Sequence, residues 1–420
     1  MPTSRPRAAC RLLATALLVA SGGASAQVAT WQVWATGLPV GIFPRIAVAP
    51  DHSLYYGLLG GGTPGVIARA PDARAASGTF TLMPPIPYVT IQNNVEGLTT
   101  TAASEPVVGI FHASAQGNLN DPIAFVYDWG ANQWITAPVS VPANLGVFAM
   151  ARAPNGDIWF GAKWSRVYRS TDNGRSYTAI DESALVAASA PCFYPTLGGV
   201  DADGAIYSIN VDRHGRVYAG TETAGLVYSD DNGATWKPAD AFACLANDSS
   251  QRNPASPMEP LTRSGNLGAI GFTADDNVVW NGANLWYFNA LDPHWISSVA
   301  FADMTAQTIT PAAGFVTNFI YKGLQVSRIV TTAKGTLFLH SGMNSSFDPN
   351  TPQSTTYSLG IYRSPDGVHW TAFNTGFPNP NNGLAEGSLA VDGNRVFMAF
   401  GDGKIWYFDD DTLFFDGFGR

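Results

Sequence analysis

The sequence predicts an all-β fold, a single seven-bladed β-propeller whose ring is closed by an outer strand from the N-terminal segment. Three observations carry this: a turn-rich, charge-poor composition, a strand–strand–turn unit that recurs along the chain, and two chain ends that share one outer-strand pattern.

Gly (43) and Pro (28) are abundant, aromatics reach 12% and charged residues only 13%, the makeup of many short strands joined by turns. Residues 1–26 read as a signal peptide outside the fold. Arg5, Arg7 and Arg11 form a basic start, residues 12–20 an apolar stretch, and Ala24-Ser25-Ala26 a small-residue cleavage site before Gln27. The apolar stretch falls short of the ~18 residues a membrane span needs, and no later segment reaches that length. The expectation is a secreted or periplasmic protein with no membrane partner. Cleavage removes three arginines and no acid from a chain already at −9. Such an acidic chain, with no Lys/Arg cluster, is excluded as a nucleic-acid binder. The domains expected are the signal peptide (1–26), the propeller (27–411) and a short C-terminal tail (412–420), in a monomer. Cys192 and Cys244 remain after export, and an oxidising compartment favours a disulfide between them.

The recurring turn is clearest at Ser229-Asp230-Asp231-Asn232-Gly233-Ala234-Thr235-Trp236. It returns at Ser170-Thr171-Asp172-Asn173-Gly174-Arg175-Ser176-Tyr177 and, one residue shorter, at Ser364-Pro365-Asp366-Gly367-Val368-His369-Trp370. A weaker copy is Asp128-Trp129-Gly130 with Trp134. In such a turn the aspartate accepts hydrogen bonds from backbone amides, the glycine tolerates positive φ, and the aromatic packs beneath. These turns resemble the Asp-box, or bacterial neuraminidase repeat, of sialidases and related propellers. The resemblance implies that each closes the hairpin between third and fourth strands of a blade, on the face away from the ligand. Asp172, Gly174, Asp231, Gly233, Trp236, Asp366 and Trp370 are therefore assigned structural roles.

Each turn follows two alternating apolar strands, as in Ile158-Trp159-Phe160-Gly161 and Val167-Tyr168-Arg169 of blade 3. Units without the turn begin near Phe43, Asn94, Leu267 and Leu384, which makes the count seven. The last unit lacks a fourth strand. Trp31-Gln32-Val33-Trp34-Ala35-Thr36-Gly37-Leu38-Pro39 has the pattern of Trp370 to Pro378, the outer strand of blade 6, so it is expected to supply the missing strand. The long connections, 181–205, 239–266, 290–327 and 341–359, all fall opposite the Asp-box turns, which places the functional face there. Both cysteines lie in these connections.

Aligning the inner strands on the turn that ends each puts Arg45 and Arg328 in one register, with Glu386 beside them and Glu96 within a residue. Blades 6, 7, 1 and 2 then present Arg, Glu, Arg, Glu around the channel mouth. Two readings follow. The charges pair with one another in a wet funnel, or Arg45 and Arg328 bind a carboxylate or sulfate while Glu96 and Glu386 serve as catalytic acid/base or hold sugar hydroxyls. Arg45-Ile46 also resembles the start of the sialidase R-I-P motif, with Ala47 in place of the proline, which implies a carboxylate-binding role for Arg45. The expected ligand is a carbohydrate or a protein. The chain is expected either to act on an extracellular or periplasmic glycan, as a hydrolase or lyase, or to bind a partner without chemistry. No cofactor or metal site is expected; the six histidines show no ligand spacing.

Overall fold

The computed structural model describes residues 30–41, 44–58, 65–87, 93–112, 122–139, 146–162, 166–180, 184–185, 206–221, 225–238, 269–281, 296–297, 299–306, 308–314, 322–323, 325–342, 344–348, 351–357, 360–377 and 387–410. The predicted leader, the C-terminal tail, Cys192, Cys244 and Glu386 lie outside these residues.

Seven four-stranded antiparallel sheets form the ring. Their innermost strands, blades 1 to 7 in chain order, are Arg45–Val48, Asn93–Thr100, Val147–Arg152, Ile206–Val211, Ile270–Phe272, Gln325–Thr331 and Ser388–Asp392. The strands alternate because both faces of every blade meet another blade. Among the described residues the buried side chains fall into seven apolar clusters, one per seam. In blade 3, Ile158 and Phe160 face blade 2, whereas Trp159 and Val167 face blade 4. The closing strand lies where the chain ends predict it. Gln32–Ala35 pairs antiparallel with Ile405–Asp409 as the outer strand of blade 7. Trp31 and Trp34 then fill the seams on either side of that blade.

The second strands of blades 1 to 4 carry a glycine at the mouth of the channel for a steric reason. A Cβ on Gly109 would lie 2.4 Å from Val147 Cγ1, and one on Gly161 the same distance from Ile206 Cγ2. Inner strands of successive blades approach closely here, and only hydrogen fits between them.

One feature departs from the sequence reading. Parts of the long connections 290–327 and 341–359 are strands: Val299–Asp303 and Thr308–Pro311 are the third and fourth strands of blade 5, and Ile296–Ser297, Lys322–Gly323, Asn344–Asp348 and Thr351–Tyr357 make a four-stranded eighth sheet outside the ring, its first two members parallel. Long connections carry backbone donors and acceptors that need partners, and pairing between neighbouring excursions supplies them. All four strands belong to connections that leave the face where the inner strands begin.

Candidate functional site

The turns between third and fourth strands share one hydrogen-bond plan. The Asp231 carboxylate accepts from the backbone N–H of Thr235 at 2.8 Å and from its hydroxyl at 2.5 Å, while Ser229 Oγ donates to Asp231 and accepts from Gly233 N–H at 2.8 Å. Asp172 and Asp366 repeat this with Ser176 and His369. Gly174, Gly233 and Gly367 have φ of +77°, +88° and +81°, the left-handed region where a side chain is strained. Trp236 and Trp370 are buried beneath their turns. Both carboxylate oxygens of each aspartate are engaged within its own turn, so these aspartates hold turns.

The cavity that matters is at the other end of the sheets. It measures about 290 Å³ and is lined where the inner strands begin, by Arg45, Glu96 and Arg328 among others. The structure thus brings together three of the four charged residues singled out from sequence. Arg45 and Glu96 form an ion pair across the seam of blades 1 and 2, their side chains 17% and 19% exposed. Arg45 Nε also donates to the Glu96 carbonyl at 3.0 Å, and Nη1 to the Pro44 carbonyl at 3.3 Å. This half of the arc satisfies itself.

Arg328 differs. Among the described residues its guanidinium has no hydrogen-bond or ion-pair partner; the one charge acting on it is that of Arg45, of the same sign. Burial first, and Arg45 second, pull it down to about 10, so it is still a cation at neutral pH. It also lines a second cavity of about 420 Å³ towards the opposite face, which places it at the neck of the channel.

The register is not the one the sequence suggests. Arg45 pairs with Gly57, Ala149 with Gly161, Ser208 with Gly220, Arg328 with His340 and Ser388 with Ala399. The tier holding both arginines therefore contains Ser208 and Ser388, and in blade 7 Ser388 holds the place assigned to Glu386. Glu96 belongs to a different tier. It is the extra residue of a β-bulge between Val95 and Gly97, and Phe148 and Tyr207 occupy the matching bulges of blades 3 and 4. The alternating Arg/Glu arc in one register is corrected accordingly. Glu96 is the one carboxylate among the described residues lining the cavity.

Sequence reading missed the aromatic side of the funnel. Phe148 and Tyr207 sit at β-bulges, which leave no local signal in the sequence. Trp280, by contrast, is core as its alternation indicates, buried in the seam of blades 4 and 5.

No protein-family model and no curated protein matches this chain. Solved structures do. A GH74 xyloglucanase from Xanthomonas campestris superposes with a TM-score of 0.54 at 17% identity, over 93% of this chain and 55% of that one. A chain of the mitotic checkpoint complex gives 0.52 at 11%, over 96% and 99%. YCF48 bound to D1 peptide gives 0.51 at 12%, over 91% and 97%. At such identities the likeness is one of fold. With seven sheets in a ring and a closing N-terminal strand, this chain is a seven-bladed β-propeller.

Proposed function

We propose that this chain is an exported Asp-box propeller that binds an acidic glycan in the funnel opposite its aspartate turns. The observation that carries the reading is Arg328, a cation without an acidic partner among the described residues in a chain of net charge −9. A half-buried charge without a partner among the described residues is costly, and a bound anion would offset that cost. Arg45 lies in the same cavity and Glu96 offers an acceptor for sugar hydroxyls. The fold neighbours include a xyloglucanase and a propeller holding a peptide, so the architecture accommodates either ligand class. The uncompensated charge favours an acidic one.

The activity proposed is binding; hydrolysis through protein carboxylates would use two of them, of which Glu96 lines the cavity and Glu386 lies outside the described residues. The test is a glycan array followed by calorimetry with wild type and Arg328→Met. Acidic glycans should bind over neutral ones, and Arg328→Met should weaken them about 10- to 100-fold, the loss of one charge-assisted contact. Equal binding of neutral glycans, or no effect of Arg328→Met, overturns the reading. Release of chromogenic leaving groups that disappears in Glu96→Gln would make the chain a hydrolase.

A further inference from the structure

The funnel has two tiers: the upper holds Glu96 on blade 2 and aromatic rings on blades 2 to 4, the deeper holds arginines, serines and small residues. In the upper tier Phe111, Phe148 and Tyr207 line the cavity from blades 2, 3 and 4. Their ring centroids are 5.0 Å apart for Phe111–Phe148 and 4.9 Å for Phe148–Tyr207, tilted by 44° and 64°. None of the three is fully buried. They form a curved apolar wall facing the charged side of the funnel.

In the deeper tier lie Arg45, Ser208, Arg328 and Ser388, separated by small residues. Ala269 lines the cavity on blade 5, between the blades that carry Ser208 and Arg328. Ser208 is 5% exposed, lines the cavity, and its hydroxyl has no hydrogen-bond partner among the described residues. Its neighbours are accounted for. Ser388 Oγ accepts from Ile46 N–H at 3.2 Å, and the Asn210 side chain donates to the Ile270 carbonyl and accepts from Val211 N–H, each at 2.9 Å. A buried hydroxyl left unpaired costs stability in the free protein, and a ligand oxygen removes that cost.

We infer that the funnel reads the end of its ligand in two tiers: an oxyanion reaches the deeper tier, accepting hydrogen bonds from the Ser208 hydroxyl and the Arg328 guanidinium, while the ring that bears it lies against Phe148 and Tyr207. This rests on the proposal that the site takes an acidic ligand. The cavity volume supports end-on seating. At about 290 Å³ it sits at the floor of the ~300–1,000 Å³ typical of ligand pockets, room for one ring and not for a length of chain. Tilted aromatic rings offer the apolar face of a pyranose a dry contact, and the deeper tier offers donors only where the anion would be.

The experiment is calorimetry on the full exported chain with D-glucuronate, a 6-sulfated glucose, methyl glucoside and acetate. The first supplies ring and carboxylate, the second ring and sulfate, the third a ring without charge, the fourth a charge without a ring. Wild type should bind glucuronate or the sulfated sugar at least about tenfold more tightly than methyl glucoside or acetate, the tighter of the two naming the oxyanion. Phe148→Leu should weaken the preferred sugar about tenfold and leave acetate unchanged. Ser208→Ala should weaken it by a similar factor, leave methyl glucoside unchanged, and raise the unfolding temperature of the free protein. That rise separates the claim from simple damage to the fold. If Phe148→Leu and Ser208→Ala both bind like wild type while Arg328→Met does not, the two tiers are refuted and the acidic-ligand reading stands. If wild type prefers neither acidic sugar over methyl glucoside, both fall.

Discussion

Replacing Trp31 with alanine tests how the ring is closed. Trp31 immediately precedes the closing strand and is 2% exposed in the seam of blades 6 and 7. It stacks on Phe377 at 5.1 Å and 24°, and its ring lies within 6.4 Å of Phe338, Phe373 and Phe408. Its indole N–H donates to the buried Phe373 carbonyl at 2.9 Å. Truncating a buried aromatic of this size costs about 3–5 kcal/mol, and leaving that carbonyl unpaired adds about 1. The sum, about 4–6 kcal/mol, is a large part of the roughly 5–15 kcal/mol by which folded proteins are stable. The assay is guanidinium unfolding followed by circular dichroism, with Trp129→Ala as the control. Trp129 is 39% exposed, with Arg69 over its ring at 4.7 Å and Tyr127 edge-on at 4.8 Å, so its loss should cost about 1–2 kcal/mol. A Trp31→Ala loss below about 2 kcal/mol, or one equal to the control, would refute the claim that the N-terminal segment is integral to the ring.

Two more outcomes follow from the packing and the turns. Gly161→Ala places a Cβ 2.4 Å from Ile206 Cγ2 and 2.7 Å from the Ile206 carbonyl oxygen, so blades 3 and 4 must part. The expected loss is about 1–3 kcal/mol by the same unfolding assay, and an unchanged midpoint would mean that the seam yields freely. The aspartate turns set an acid limit. The Thr235 hydroxyl and N–H hold Asp231 down to about 2, and hydrogen bonds from His369 and Val368 overcome burial to do the same for Asp366. A carboxyl whose folded value lies below its unfolded 3.8 contributes stability above that value and loses it as pH falls towards about 2. Unfolding midpoints should therefore drop across this window, and less steeply in Asp231→Asn. A flat wild-type profile there would show that the turns contribute nothing.

The sequence by itself determined the architecture. Strand alternation, the aspartate turns and the shared pattern of the chain ends are local signals. A turn needs its Asp and Gly within a few residues, and a strand packed between two neighbours must be apolar on both faces. The pairing of Gln32–Ala35 with Ile405–Asp409 was legible for the same reason. At the site, Arg45 and Arg328 were legible because each is a lone charge in an apolar inner strand. Only the tertiary structure decided how they are used. Side chains alternate with a period of two, so one extra residue moves its neighbours to the other face, and nothing in the spacing of Glu96, Phe148 or Tyr207 announces a bulge. Whether a charge is paired is likewise a property of the assembled blades. Arg45 meets Glu96 across a seam between residues 51 positions apart, while Arg328 and Ser208 meet no partner among the described residues.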